Sequence, residues 1–242
     1  MKITNNYNIP DFFLDLLSQQ YKPKSIDRLS ASTIMDPIQK MILEYEHWDD
    51  LEEDAASRVN ALIGTAIHDY LENNLKLGGK KEVFLSKKLS SGVTVSGKAD
   101  HILDSSIIDF KSTKVYRFKQ DSFIKDLTIQ LNIYKYLANN KKTPVDTAIT
   151  DLYGCVILKD WSETSAIKSD DYPQSPIVMI KLDTKPDAYI EAYINARYAD
   201  KTNAYKTYKE TGSFPPVLQK KDGNLLRYIK LKRRGLPKHP DR

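Results

Sequence analysis

A short hairpin pattern near the middle of the chain constrains the fold most strongly. Residues 97–112 read GKADHILDSSIIDFKS, which is two apolar runs on either side of an Asp-Ser-Ser turn. Alternating runs of this length, interrupted by turn residues, predict two antiparallel strands. With a two-residue loop, Asp100 lies opposite Asp109, whereas a three-residue loop or a bulge would shift that register. The pattern therefore predicts a sheet in which two carboxylates face each other.

Two opposed carboxylates need a chemical explanation, because like charges directly across a strand pair destabilise a sheet. A shared proton or a divalent cation between them removes the repulsion. Oxygen ligands of this kind suit Mg²⁺ or Mn²⁺. Strand alternation places Lys111 on the same face as Asp109, beside such a metal and towards any bound phosphate. The alternative for this stretch taken alone is an exposed acidic hairpin with a surface lysine.

A helix precedes the hairpin. Apolar residues recur from Val59 to Leu71 at helical spacing, and the pattern stops at Gly78-Gly79. Three residues spaced by four, Gly64, His68 and Glu72, lie on one stripe beside the apolar face. A single histidine on a helix is usually structural, but this one shares its stripe with an acid just upstream of the acidic hairpin.

A second helix with polar residues beside its apolar face follows the hairpin. Gln130 and Tyr134 are i, i+4 neighbours there, next to apolar residues such as Leu127 and Leu131. Taken alone, Tyr134 would be interpreted as a core residue.

The remaining periodicity predicts an α/β protein with helices on the faces of a sheet. Besides the helix described above, the predicted helices are 11–21, 33–48, 118–139 and 185–209. The predicted strands are 82–89, 92–103, 106–112, 146–159 and 176–183. The polar segment 160–175 is predicted to be a surface loop.

Composition excludes several classes of protein. The chain has 242 residues, 40% of them hydrophobic, enough to bury a sizeable core. Its one cysteine, Cys155, excludes an internal disulfide framework and any metal site made of cysteines alone. No apolar run approaches the ~20 residues that span a bilayer, and MKITNNYNIP lacks the apolar core of a signal peptide. We expect a soluble cytoplasmic protein, from a bacterium or a phage-infected cell, with no membrane partner.

Positive charge is concentrated at the C-terminal end. Residues 219–242 contain nine Lys and Arg against two Asp. Such a basic segment predicts a polyanionic partner, and the alternative is simply a solvated terminus. The side chains predicted to contact DNA are Lys220, Lys221, Arg227, Lys230, Lys232, Arg233 and Arg234.

Four sequence blocks in order resemble a known family. GTAIHDYLE, GKADHIL, IIDFKS and QLNIY, between Gly64 and Tyr134, are similar to the RecB-type branch of the PD-(D/E)XK nuclease superfamily. The resemblance implies a restriction-endonuclease-like αβββαβ core, with a mixed central sheet flanked by helices. Extra N-terminal helices, a C-terminal helix and the basic tail would surround that core. The expected boundaries are a single nuclease domain at 1–218 (N-terminal helical region 1–57, catalytic core 58–183, C-terminal helix 185–209) and a tail at 219–242.

The resemblance also implies roles for individual residues. His68, Asp100, Asp109 and the backbone carbonyl of Phe110 would bind Mg²⁺ or Mn²⁺. The remaining implied site residues are Lys111 as the catalytic lysine, Gln130 and Tyr134 as a pair near the substrate, and Glu72 as the acid that often follows the motif histidine. Some relatives hold an iron–sulfur cluster on four cysteines, and with Cys155 alone we expect none here.

The function that the resemblance implies is metal-dependent DNA cleavage. The expected enzyme is an exonuclease of recombination, repair or phage DNA processing, with DNA as its partner. The chain has no G-x-x-x-x-G-K-[ST] motif, so it is not expected to bind ATP, and a helicase or recombination protein would act in trans.

Two other functions stay open. One is a non-enzymatic DNA-binding module on the same scaffold. The other is an HD-type phosphohydrolase, suggested by His68-Asp69 with His47 upstream.

Overall fold

The computed structural model describes residues 1–18, 25–140 and 145–214. In chain order the strands and helices are β1 (Lys2–Thr4), α1 (Asp11–Leu17), β2 (Arg28–Ser30), α2 (Ile38–Glu46), β3 (Glu52–Asp54), α3 (Ala55–Asn74), β4 (Lys80–Lys88), β5 (Thr94–Leu103), β6 (Ser106–Thr113), α4 (Val115–Phe118), α5 (Asp121–Ala138), β7 (Asp151–Leu158), α6 (Glu163–Lys168), β8 (Ile177–Leu182) and α7 (Asp187–Thr211). Within the described ranges, none of the helices combines the length and the apolar character that crossing a bilayer requires.

The chain forms two compact units. Of the described residues, the first contains those in Met1–Ile26, Asp36–Leu62 and 197–214, and the second contains those in Asp27–Met35 and Ile63–Ala196. Two of the boundaries fall within α3 and α7, and the other two flank Asp27–Met35. The expectation of one domain over 1–218 stays a prediction.

The first unit combines a small parallel sheet with helices. β1 pairs with β3, and Ile38 and Ile42 of α2 form a small core with Ala204 of α7. The hydroxyl of Tyr205 donates to Glu46 Oε1 over 2.5 Å. Tyr205 therefore joins α7 to the end of α2 within this unit.

The second unit contains a six-stranded mixed sheet. Its order is β2-β5-β6-β7-β8, and β4 pairs with β5. β6 runs parallel to β7, whereas β5 is antiparallel to both β4 and β6. The succession α3-β4-β5-β6-α5-β7 is the αβββαβ order expected from the sequence. The predicted fold class, a mixed central sheet flanked by helices, is therefore confirmed.

The β5–β6 hairpin has the predicted two-residue loop. Leu103 pairs with Ser106, and Asp104 adopts a left-handed backbone with φ of 50°. Aspartate tolerates that conformation better than most residues because its short polar side chain can hydrogen-bond locally. The loop therefore sets the register from which the candidate site is built.

Helix α5 lies unusually close to the sheet. A Cβ atom added to Gly97 of β5 would lie 2.4 Å from Cε1 of Tyr134, and one added to Gly154 of β7 would lie 2.6 Å from Cδ2 of Leu127. Both glycines thus make room for α5 side chains. This close approach brings Gln130 and Tyr134 down onto the strands.

The structure departs from the predicted elements in three places. The helix predicted at 118–139 is present as α5, a separate short helix α4 lies just before it, and the predicted loop at 160–175 contains α6. The hydroxyl of Ser162 accepts from Ser165 N–H and caps α6, which sets a helix in an otherwise polar segment. The three-residue strands β1, β2 and β3 are too short to produce a readable alternation.

Candidate active site

Strand β6 carries the most buried charge of the candidate site. Asp109 is 1% exposed, and its Oδ2 atom lies 2.7 Å from Nζ of Lys111. The Lys111 side chain is 30% exposed, and its ammonium end lies at the buried carboxylate. Apart from this ammonium, Oδ2 of Asp109 has no hydrogen-bond donor. The strand therefore holds a buried carboxylate oxygen whose partner is a lysine two residues along the same strand.

Burial changes the acidity of Asp109. Removal from water raises the pKa of this carboxyl to about 6, the Lys111 ammonium opposes that rise, and the Asp100 carboxylate adds to it. The pKa rises because the buried carboxylate loses its hydration. One partly exposed lysine does not fully replace that stabilisation. A further positive charge at this position would stabilise the ionised form.

Asp100 lies where the two hairpin strands separate. The β5–β6 pairing ends at His101 and Ile108, one residue short of the predicted Asp100–Asp109 pair. In its place, the Phe110 N–H donates to Oδ2 of Asp100 over 2.8 Å. The predicted register is right at the turn, but at the level of Asp100 the strands are joined by a hydrogen bond from the Phe110 backbone to the Asp100 side chain.

Helix α3 brings His68 to Asp100. Nδ1 of His68 lies 3.5 Å from Oδ2 of Asp100. The sequence placed these residues on different elements, and the structure brings them together. His101, next along β5, is buried and hydrogen-bonds the carbonyl of Gly78, which is a packing role.

Helix α5 supplies the two polar residues predicted near the site. Nε2 of Gln130 donates to the Tyr134 hydroxyl over 2.9 Å and lies 3.5 Å from Oδ1 of Asp109. Both side chains are buried, and desolvation together with Asp109 raises the pKa of the Tyr134 hydroxyl well above its usual value. The tyrosine therefore stays neutral, and Gln130 links it to Asp109.

The approach of Tyr134 to Gly97 can be tested directly. We expect Gly97→Ala to lower the free energy of unfolding by roughly 1–3 kcal/mol, because the new methyl group overlaps an aromatic ring that has no room to retreat. The matched change is Gly64→Ala in α3, where the nearest atom to a new Cβ is Ser112 Oγ at 3.6 Å. That variant should be neutral or stabilising by up to about 1 kcal/mol. Equal denaturant midpoints for the two variants would contradict the close approach.

A shallow cleft opens between α3 and the strands. His68, Glu72, Glu82, Asp100 and Phe110 are among the residues that line it. Lys81 donates to the carbonyls of Glu72 and Leu75 and so fixes the end of α3 against β4. Glu72 thus lies in the same cleft as His68, as the helical stripe predicted.

Glu82 is a candidate site residue that sequence reasoning missed. It has a left-handed backbone with φ of 53°, and it lies between the Lys81–His101 and Val83–Ala99 pairs, across from Asp100. Its carboxylate forms an ion pair with Lys98. Non-glycine residues with this backbone are uncommon in strands, and no sequence pattern signals one here.

The predicted metal site can be tested against the donors present. Among the described residues, no three His, Cys, Asp or Glu side chains are grouped as a ready-made metal site. The carboxylates of Asp100 and Asp109 are near enough to influence each other electrostatically. Carboxylate oxygens are ligands that Mg²⁺ and Mn²⁺ prefer, and a cation at Oδ2 of Asp109 would take the place of the Lys111 ammonium. The residues therefore fit a divalent cation chemically, although three side chains are not assembled around a common point.

Other predicted residues lie elsewhere. His47 hydrogen-bonds the Tyr208 hydroxyl over 2.7 Å in the first unit, a contact between two neighbouring helices. All seven predicted DNA-contacting residues, Lys220, Lys221, Arg227, Lys230, Lys232, Arg233 and Arg234, lie outside the described residues.

Comparison with known proteins yields fold similarity only. The sequence matches no protein-family model and no curated protein. An alkaline exonuclease from Laribacter hongkongensis is 13% identical with a TM-score of 0.43, over 77% of this chain and 94% of that one. The crystal structure of SSO0001 is 16% identical with a TM-score of 0.50, over 77% of this chain and 81% of that one. The chain therefore shares its overall fold with SSO0001.

Proposed function

We propose that the protein is a metal-dependent nuclease that hydrolyses phosphodiester bonds in DNA. The observation that carries the proposal is the buried Asp109, whose Oδ2 atom lies 2.7 Å from the Lys111 ammonium and whose carboxylate is influenced by Asp100. Asp100 lines the cleft, and Asp109 and Lys111 lie on the adjoining strand β6. Two carboxylates and a lysine are groups that phosphoryl chemistry uses. The order and spacing of the four sequence blocks support the same reaction.

The cation-binding residues proposed are Asp100, Asp109, His68 and the Phe110 carbonyl. A bound Mg²⁺ or Mn²⁺ would supply Lewis-acid stabilisation of a phosphate oxygen and lower the pKa of a coordinated water. The single cysteine leaves no place for an iron–sulfur cluster ligated by four cysteines.

The reaction adds water to phosphorus and breaks the bond to a sugar oxygen. One product keeps the phosphate, and the other leaves with a hydroxyl group after taking up a proton. Negative charge grows on the phosphate oxygens in the transition state, and the Lys111 ammonium beside Asp109 would stabilise that charge. Gln130 and Tyr134 act as positioning residues, because they restrict the buried Asp109 side chain. Glu72 adds a carboxylate to the wall of the cleft.

The biological role proposed is that of an exonuclease in recombination, repair or phage DNA processing. The partner is DNA, in the cytoplasm of a bacterium or of a phage-infected cell. A helicase or recombination protein supplied in trans would open the duplex, because this chain carries no ATP-binding motif.

The basic tail gives a prediction about binding to DNA. Phosphate neutralisation releases counterions, and each contact contributes about 0.9 to the salt slope on duplex DNA. If three or four of its Lys and Arg contact phosphates, deleting 230–242 should reduce the slope of log K against log salt by about 3. All DNA sequences should be weakened alike, because phosphate contacts carry no base information. An equal salt slope for the truncated and the full chain would contradict the predicted phosphate contacts of the tail.

One digestion experiment tests the proposed function. Linear duplex, circular duplex and single-stranded DNA are incubated with the full chain in Mg²⁺, Mn²⁺ or EDTA. We expect cleavage with either metal and none in EDTA, with linear substrates consumed and circles left intact. Binding without cleavage in every metal would instead identify a DNA-binding module. Release of phosphate from nucleotides without DNA cleavage would identify a phosphohydrolase.

A further inference from the structure

An exposed aromatic ring lies on the open face of β4 and β5. Phe84 is 64% exposed in the middle of β4, where it pairs with Lys98 of β5. The opposite face of these strands packs on α5, because Gly97 lies against Tyr134 and Lys87 donates to the Tyr136 hydroxyl. Phe84 therefore points away from the core.

The neighbours of this ring are polar. Strand alternation and the β4–β5 pairing give the other residues of that face, which are Glu82, Ser86, Lys88, Thr94, Ser96, Lys98 and Asp100. Ser86 pairs directly with Ser96, and such short side chains leave one side of the Phe84 ring uncovered. One flat apolar ring among hydroxyls, two lysines and two carboxylates does not resemble the broad apolar centre of a protein interface.

The ring is also close to the candidate active site. Its cross-strand partner Lys98 precedes Asp100 by two residues on one strand, a separation of about 7 Å. The Lys98 side chain is 58% exposed, and a backbone phosphate that runs across the sheet would compete with Glu82 for its ammonium. The open face therefore continues from the cleft that holds His68 and Asp100.

We propose that Phe84 is a stacking platform for a base of a single-stranded segment of the substrate, adjacent to the scissile phosphate. This inference rests on the proposed nuclease function and adds to it a preference for unpaired bases at the site. Aromatic rings bind single strands by stacking on the flat face of a base, and cationic side chains nearby bind the sugar-phosphate backbone. A base within a duplex is stacked and paired on both sides, so the ring would require a frayed or single-stranded end.

The test measures binding in EDTA, so that cleavage does not interfere. The probes are a fluorescein-labelled 12-mer of deoxyadenosine and a 12-mer of the same length whose sugars lack bases. The full chain is compared with Phe84→Ala, Phe84→Leu, Phe84→Trp and the matched control Tyr189→Ala, which removes a 52% exposed ring on α7.

We expect Phe84→Ala to weaken binding of the deoxyadenosine 12-mer about tenfold or more, and to leave binding of the abasic 12-mer unchanged. Phe84→Leu should lose most of the same affinity, because it keeps apolar volume but no aromatic face. Phe84→Trp should bind like the parent chain, and its added emission should be quenched by the deoxyadenosine probe alone. Tyr189→Ala should match the parent chain with both probes.

Three results would overturn the inference. The first is unchanged affinity of Phe84→Ala for the deoxyadenosine probe, and the second is an equal loss for both probes. The third is loss of self-association by Phe84→Ala in sedimentation, with its DNA binding unchanged. That result would identify the face as a contact between copies of the chain. Failure of the nuclease proposal is visible separately, as absence of cleavage by the parent chain in Mn²⁺ while base-dependent binding remains.

Discussion

Replacing Asp109 with Asn should lower the rate of DNA cleavage by ~10³ or more, roughly 4 kcal/mol of transition-state stabilisation. The amide keeps the shape of the side chain but removes the charge that would hold a cation at Oδ2. Single-turnover cleavage of end-labelled DNA in Mn²⁺ measures this effect. The matched control is Asp104→Asn, an exposed aspartate in the turn of the same hairpin, which should cleave at the parent rate. Parent-like cleavage by Asp109→Asn would refute the assigned role.

The same variant should change how stability depends on pH. Because the pKa of Asp109 is raised to about 6 in the folded chain, folding favours its protonated form. This group therefore lowers the free energy of unfolding as pH rises from about 4 through about 6. In EDTA, Asp109→Asn should be more stable than the parent chain at pH 7, with a smaller difference near pH 4. Urea titrations at both values of pH measure the change, and a constant difference would argue against burial of a charged Asp109.

Replacing Lys111 with Gln should reduce turnover by about 10²–10³ while metal binding persists. An ammonium group is no metal ligand, and its removal takes away a positive charge that competes for Oδ2 of Asp109. Calorimetric titration with Mn²⁺ should therefore give an affinity equal to or above that of the parent chain. Lys114→Gln is the control, because Lys114 is an exposed lysine just beyond the end of β6 and should have little effect on turnover. Loss of metal affinity in a folded Lys111→Gln chain would contradict the proposal.

Sequence reasoning predicted the hairpin and its neighbours because their signals are local. Alternation and a two-residue turn determine that Leu103 meets Ser106, and helical spacing determines that Gln130 meets Tyr134. Contacts of this kind need only a period and a loop length. The spacing of Asp109 and Lys111 likewise predicted that they share one face, and their ion pair agrees with that.

Features that depend on tertiary packing had no local signal. Nothing in the sequence marks the end of β5–β6 pairing at His101, since that depends on the Phe110 N–H turning to the Asp100 side chain. The sequence also gives no signal for the left-handed backbone of Glu82, because glutamate has no preference for that conformation. The intimate contact of Gly97 with Tyr134 joins residues far apart in the chain, so neither helical nor strand periodicity could reveal it.

The two helices that border the candidate site differ in how firmly they are held. α5 has nine buried residues, whereas the only buried residue of α3 is Ala55, outside the stretch that carries His68. Backbone amides protected by few buried contacts exchange with solvent through local opening, while those in a packed core exchange only on global unfolding. Deuterium should therefore enter residues 63–74 much faster than β6 or α5. The part of α3 that carries His68 would then open and close while the strand that carries Asp109 stays in place. A ligand could enter or leave the cleft without opening the core.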